Sequence, residues 1–175
     1  MVTKVSYWLI PSQEDRAFFQ DIIDTLAREY DAPSFTPHVT IYSGDSAANE
    51  SPDELIKQAI QGVQPFSLRS DRILYSQEFT KTLFVQFQPN SILSQISQSL
   101  QSSSKNSSDY ALNPHLSLIY KQMSEETQKD LTTSLTLPKS EVVFDEVMAI
   151  SSPERTQTRD DVESWQVICV RKLQL

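Results

Sequence analysis

The chain contains two histidines, and both stand in one repeated frame. Thr36-Pro37-His38-Val39-Thr40-Ile41-Tyr42 returns as Asn113-Pro114-His115-Leu116-Ser117-Leu118-Ile119-Tyr120. Each frame reads as a strand, in which alternate side chains share a face, so His38 projects with Thr40 and His115 with Ser117. An imidazole exchanges protons near neutral pH, and a hydroxyl is a compact neutral donor suited to a phosphoryl oxygen. Two such pairs facing one another make an acid/base site around a phosphate.

The surrounding pattern makes the repeat larger than the motif. A β-rich run from Val2 to Ile10 is followed by Ser12 and Asp15, spaced as a capping box, and by Phe18, Ile22 and Leu26 at helical spacing to about Tyr30. After the first His strand, 38–42, comes a polar loop, 43–50. Ser51-Pro52-Asp53-Glu54 then starts a helix, and a strand covers 66–77. Next come a strand at 83–87, a helix marked by Ile92, Leu93, Ile96 and Leu100, and the polar stretch 101–109, expected to be a mobile loop. Beyond the second His strand, a helix opens at Ser124-Glu125-Glu126. Residues 141–151 and 164–173 read as a closing antiparallel pair, and the polar loop 152–161 between them is placed to lie over a site.

His38 and His115 are 77 residues apart, and the same offset carries Tyr7 onto Phe84 and Trp8 onto Val85. Strand, helix, His strand, helix, strand thus occurs twice, dividing one bilobal domain into halves of about 1–77 and 78–175. The expected fold is α+β: two pseudo-symmetric lobes, each an antiparallel sheet with helices on its outer face, enclosing a central cleft lined by both motifs.

Composition limits what can bind there. A net charge of −8 repels polyanions and leaves no basic footprint for bulk nucleic acid, so a small phosphate ester in a local pocket is the better partner. One cysteine, Cys169, rules out an intramolecular disulfide and the usual zinc clusters; it is expected to be buried and inert. No stretch approaches the roughly 20 apolar residues of a membrane span, and the first residues lack the pattern of a secretory signal. A cytoplasmic monomer needing no metal or cofactor is expected. Lys81, Arg69 and Lys121 read as solvated surface cations.

These residues resemble the 2H phosphoesterase superfamily, named for its two His-x-Thr/Ser motifs. Pro-His-Val-Thr, Pro-His-Leu-Ser-Leu-Ile-Tyr and the tryptophan of the first strand are most similar to the cyclic nucleotide phosphodiesterases of plants and fungi. The resemblance implies a LigT-like fold, catalytic His38 and His115, and phosphate contacts from Thr40 and Ser117. It also implies that Trp8 stands at the cleft mouth, stacking on a base or capping the pocket, and that Tyr120 approaches the phosphate. Strict alternation sends Tyr120 away from the His115 face, so it contributes only if the strand bends or ends there. Plant members carry cysteines absent from this chain, so no redox control is implied.

The implied reaction is metal-independent opening of a cyclic phosphate, in a 2′,3′-cyclic nucleotide or ADP-ribose 1″,2″-cyclic phosphate, with His115 as base and His38 as acid. Three alternatives stay open on the sequence: an enzyme acting on the cyclic ends of RNA, a module that binds cyclic phosphates without turnover, and a scaffold whose motifs are relics.

Overall fold

The structure, a computed structural model, describes residues 3–137 and 139–174; Val2, expected to open the first strand, lies outside them. The elements run β1 (Thr3–Pro11), α1 (Gln13–Tyr30), β2 (Val39–Ser46), α2 (Pro52–Ala59), β3 (Phe66–Tyr75), a 3₁₀ turn (Phe79–Lys81), β4 (Leu83–Phe87), α3 (Ser91–Ser103), β5 (His115–Ile119), α4 (Glu125–Ser134), β6 (Glu141–Ser152), α5 (Arg159–Glu163) and β7 (Gln166–Lys172). The fold is α+β, and the expected order of strand, helix, His strand, helix, strand is present twice before α5 and β7.

The sheet is arranged differently from two self-contained halves. Seven antiparallel strands follow the order β1-β2-β5-β4-β3-β6-β7, and β1 also pairs with β6, so the pairings run in a closed circle. β1 has β2 and β6 as neighbours, while its counterpart β4 has β5 and β3. Each half of the sequence therefore gives its third strand to the sheet of the other. The length of β6 makes this possible: its 12 residues reach about 40 Å. It joins β3 through residues 141–144 and β1 through residues 144–152. On the opposite side, β2 and β5 meet through the single pair Val39 and Leu116.

Alternation divides each strand between core and cleft. Val5, Tyr7 and Leu9 of β1, Val39 and Ile41 of β2, and Leu116 and Leu118 of β5 enter the main core beneath the helices. Their sequence neighbours Ser6, Trp8, Thr40, His115 and Ser117 line a cavity on the other face. Burying several such aliphatic side chains, at about 1.5–3 kcal/mol each, fixes the register, because a slip of one residue would exchange the two sets.

Three local expectations are corrected. Ser12 does not cap α1 with its side chain. Its backbone N–H donates to Val143 O at 2.8 Å, and Asp15 turns toward the sheet, accepting from Val143 N at 2.8 Å and from Lys139 Nζ at 2.9 Å. β2 runs to Ser46, through residues expected to be loop, because β1 extends its pairing as far as Thr3 with Ser46. The stretch 101–109 is helical to Ser103 and then tied down: Gln101 Nε2 donates to Ser108 O, Ser108 N to Tyr42 OH, and Lys105 N to Glu50 Oε1. Gly44 lets this happen, since a Cβ there would lie 2.7 Å from the Tyr42 hydroxyl.

Asp15 is buried, so truncating it strands the Val143 N–H and removes one of two carboxylate partners of Lys139, leaving Glu14. Asp15→Ala is expected to lower the unfolding free energy by about 2–3 kcal/mol, measured by urea denaturation at pH 7.

Candidate active site

All six residues singled out from the sequence, Trp8, His38, Thr40, His115, Ser117 and Tyr120, line one cavity of about 780 Å³. The pairing of Val39 with Leu116 brings the two motifs side by side. Continued by one residue, that antiparallel register sets His38 opposite Ser117 and Thr40 opposite His115. Each imidazole thus has the hydroxyl of the other motif across the strand boundary as well as its own along the strand.

The two rings are held alike. His38 Nδ1 lies 2.7 Å from Thr36 O, and His115 Nδ1 lies 2.7 Å from Asn113 O. A carbonyl oxygen can only accept, so Nδ1 carries the proton in both and Nε2 is left as the basic nitrogen. Gln86 supports the second motif by donating from Nε2 to Asn113 Oδ1 and Pro114 O. Tyr110 supports the first by donating to Thr40 O at 3.2 Å.

The electrostatic settings differ. Burial holds the pKa of His38 at about 3, against its bond to Thr36, and the charge of His115 lowers it further. His115 is also lowered, first by burial; its bond to Asn113 opposes this, Lys81 adds to it and Glu78 offsets part. Both shifts favour the neutral ring.

Ser117 is buried, and its hydroxyl donates to Thr80 O at 2.6 Å, tying β5 to the 3₁₀ turn. Tyr120 lines the cavity because β5 ends at Ile119, which releases it from strand alternation. It stacks on Phe35, with ring centroids 4.0 Å apart and planes 20° apart, and burial pushes its phenol well above the ordinary value. Trp8 is not at the cleft mouth. It is buried under His38, ring on ring, with centroids 3.6 Å apart.

Sequence reasoning missed several wall residues. Lys81, read as a surface cation, lines the cavity, whereas Arg69 pairs with Glu141 and Lys121 donates to Asp31 O, both outside it. Trp165, just ahead of β7, meets Trp8 edge-on at 5.2 Å and Tyr120 at 5.6 Å. Its signal was a large aromatic ring flanked by Ser164 and Gln166. The segment 152–157 lines the cavity as the loop reading anticipated, and α5 within that loop is opened by a capping box of Thr158 and Asp161. Cys169 is half-buried, and burial raises its thiol pKa.

A sheet that brings two His-x-Thr/Ser strands to one cavity defines the class of the 2H phosphoesterases. The family model described as "Cyclic phosphodiesterase-like protein" matches residues 1–173, and the chain belongs to that family. The cyclic phosphodiesterase of Arabidopsis thaliana is 24% identical over 170 residues, covering 96% of this chain and 94% of that one. Among solved structures, E. coli LigT complexed with 3′-AMP has a TM-score of 0.59 at 15% identity, with all of both chains covered. A structure described as a phosphoesterase has a TM-score of 0.63 at 15% identity, covering 99% of each chain. The family identifies the protein as a phosphodiesterase enzyme. No helix among the described residues is long and apolar enough to cross a membrane.

The lowered pKa of His38 ties stability to pH. An unfolded chain protonates this histidine near pH 6.5 while the folded one resists until about 3, so its contribution is complete above 6.5 and is lost as the pH falls. Between pH 7.5 and pH 5 this amounts to about 2 kcal/mol. Urea unfolding at both values is expected to show that much less acid destabilisation in His38→Asn than in the wild type.

Proposed function

We propose that this enzyme opens five-membered cyclic phosphodiesters by metal-independent hydrolysis, with His115 as general base and His38 as general acid. The observation that carries the reading is the pair of imidazoles in one cavity, each with Nδ1–H fixed to a carbonyl and Nε2 left to exchange protons. Water gives a proton to His115 Nε2 as its oxygen bonds to phosphorus. The bond from phosphorus to one sugar oxygen breaks, and that oxygen takes the proton from His38 Nε2. The product is a phosphomonoester. One protonated ring has been exchanged for the other, and a proton returned through solvent resets the pair.

The surroundings support this assignment of roles. A base must be neutral, and Lys81 favours the neutral form of His115. An acid must be charged in the complex, and the low dielectric that keeps His38 neutral when the cavity is empty also makes an arriving phosphate anion strongly felt there. Thr40 and Ser117 would hold the non-bridging oxygens, Ser117 by rotating its hydroxyl away from Thr80 O. Phe79, Tyr120 and Trp165 give the cavity an aromatic side suited to a nucleobase. Substrates of this form are 2′,3′-cyclic nucleotides and ADP-ribose 1″,2″-cyclic phosphate. Both imidazoles come from one polypeptide, which suits a monomer, and the single cysteine suits a reducing cytoplasm.

Phosphorus NMR on a panel of 2′,3′-cyclic nucleotides, ADP-ribose 1″,2″-cyclic phosphate and a short RNA with a cyclic end tests substrate and bond broken together. A monoester from a small cyclic phosphate is expected; hydrolysis of the RNA alone would overturn the assignment to small substrates. His38→Ala and His115→Ala are each expected to lower kcat by at least about 10²- to 10⁴-fold while product binding survives. Thr40→Val and Ser117→Ala are expected to cost about 10²-fold each. Among the described residues no cluster of three or more His, Cys, Asp or Glu side chains is arranged to hold a metal ion. Activity is therefore expected to persist in EDTA, and loss that a divalent ion restores would overturn the metal-independent mechanism.

A further inference from the structure

The indole of Trp8 lies flat against the imidazole of His38, with centroids 3.6 Å apart and planes within 9°. That separation is close to the contact distance of about 3.5 Å between carbon atoms, so the rings overlap almost fully. Neutral aromatic pairs prefer offset or edge-on arrangements to a full sandwich, in which the negative faces of their quadrupoles meet. The other aromatic neighbours of His38 do so: Phe35 meets it at 75° and Trp165 at 83°. A cation placed over the face of an indole is instead attracted by the same quadrupole. Face-on stacking thus places the indole face where it attracts the charge of the imidazolium once His38 is protonated.

The backbone enforces the stack. β1 and β2 shift register between Tyr7 and Trp8, where Tyr7 faces Tyr42 and Trp8 faces Thr40. An irregularity of this kind re-aims a side chain beside a site, and this one sits two residues from His38. On its other edge β1 pairs Trp8 with Met148, and the indole packs with Ile10, Met148 and Ile150, which fix its plane.

We propose that Trp8 is a positioning residue for the acid: its indole face holds the His38 ring in the plane set by the Thr36 carbonyl and stabilises the imidazolium that protonates the leaving oxygen. The proposal rests on the reading of His38 as acid and gives Trp8 a role other than stacking on a base. The groups facing His38 are Trp8 from β1, Phe35 from the segment before β2, Trp165 from the segment before β7, and His115 across the cavity. Of these His115 alone is titratable, and its charge opposes that of His38. The indole face joins the Thr36 carbonyl in favouring the charged ring.

The test uses the full chain with Trp165→Phe, which leaves Trp8 as the sole tryptophan, and replaces that residue by tryptophan bearing one, two or three fluorines. Fluorine withdraws charge from the indole face with little change of shape. The His38 pKa is read by ring ¹⁵N NMR in inorganic phosphate, and turnover is read on 2′,3′-cyclic AMP. The expected result is a stepwise fall of about one pKa unit across the series. The basic limb of the kcat profile should move down by the same amount, with kcat falling up to about tenfold and KM holding within twofold. A His38 pKa that stays constant across the series overturns the proposal, because a residue that only fills space is indifferent to fluorine. The NMR reading needs no turnover, so failure of the hydrolytic reading is seen separately. A fluorine-dependent pKa with no hydrolysis of any cyclic phosphate overturns the acid role and leaves the stack as structure alone.

Discussion

Everything the site can do depends on which ring nitrogen carries the proton, and that is decided by two backbone carbonyls. Thr36 and Asn113 each stand two residues before a histidine, with a proline between. A proline disfavours helical geometry in the residue before it and fixes its own φ, so the segment is extended and stiff before the strand begins. Each carbonyl then meets Nδ1 at 2.7 Å. Had Nδ1 been left to solvent, the tautomers would compete and a fraction of molecules would present the wrong nitrogen. The Pro-His frame is therefore more than a strand start; it is a local device for keeping Nε2 basic, used twice.

Two such devices act together only if they share one cavity, and the exchange of third strands holds both motifs there. Had β3 stayed with β1 and β2, the halves would have been free to part along the single Val39 and Leu116 pair. With β6 lying along β1 and β3 along β4, separating the motifs requires breaking ladders on the far side of the molecule as well. The cleft is then a closed circuit of hydrogen bonds with the reactive groups at its narrowest junction, which fits the positional accuracy that proton transfer in both directions requires.

The parts legible in the sequence were those governed by local rules. The His frames, the alternation that pairs each imidazole with a hydroxyl, the order of elements and the loop over the cavity all follow from period, turn residues and spacing. Tyr120 was legible conditionally, because its position depends on where β5 stops, and β5 stops at Ile119. What escaped was long-range. Asp15 has the spacing of a cap, yet Val143 and Lys139, far along the chain, compete for its carboxylate and win. Trp8 sits in a strand whose neighbours cannot be read from its own residues, so its burial under His38 appears only when β2 and β6 are placed on either side. The cleft-facing placement of Lys81 and Trp165 likewise depends on turns that carry no periodic signal.

Charge then selects among the phosphates that the site can hold. With a net charge of −8, the protein repels an approaching polyanion along its whole length. A small monoanion feels mainly what lies within a Debye length, about 8 Å at physiological ionic strength, and the cleft wall carries Lys4, Lys81 and Arg155 against Glu78 and Glu154. Solvent screens the repulsive charges spread over the surface, while the attraction acts at short range across a partly desolvated wall, where the effective dielectric is lower. The same charge pattern thus disfavours a long polyanionic strand more than a small anion. Cations outnumber carboxylates in the cleft wall, and the acidic exterior keeps larger polyanions away from it.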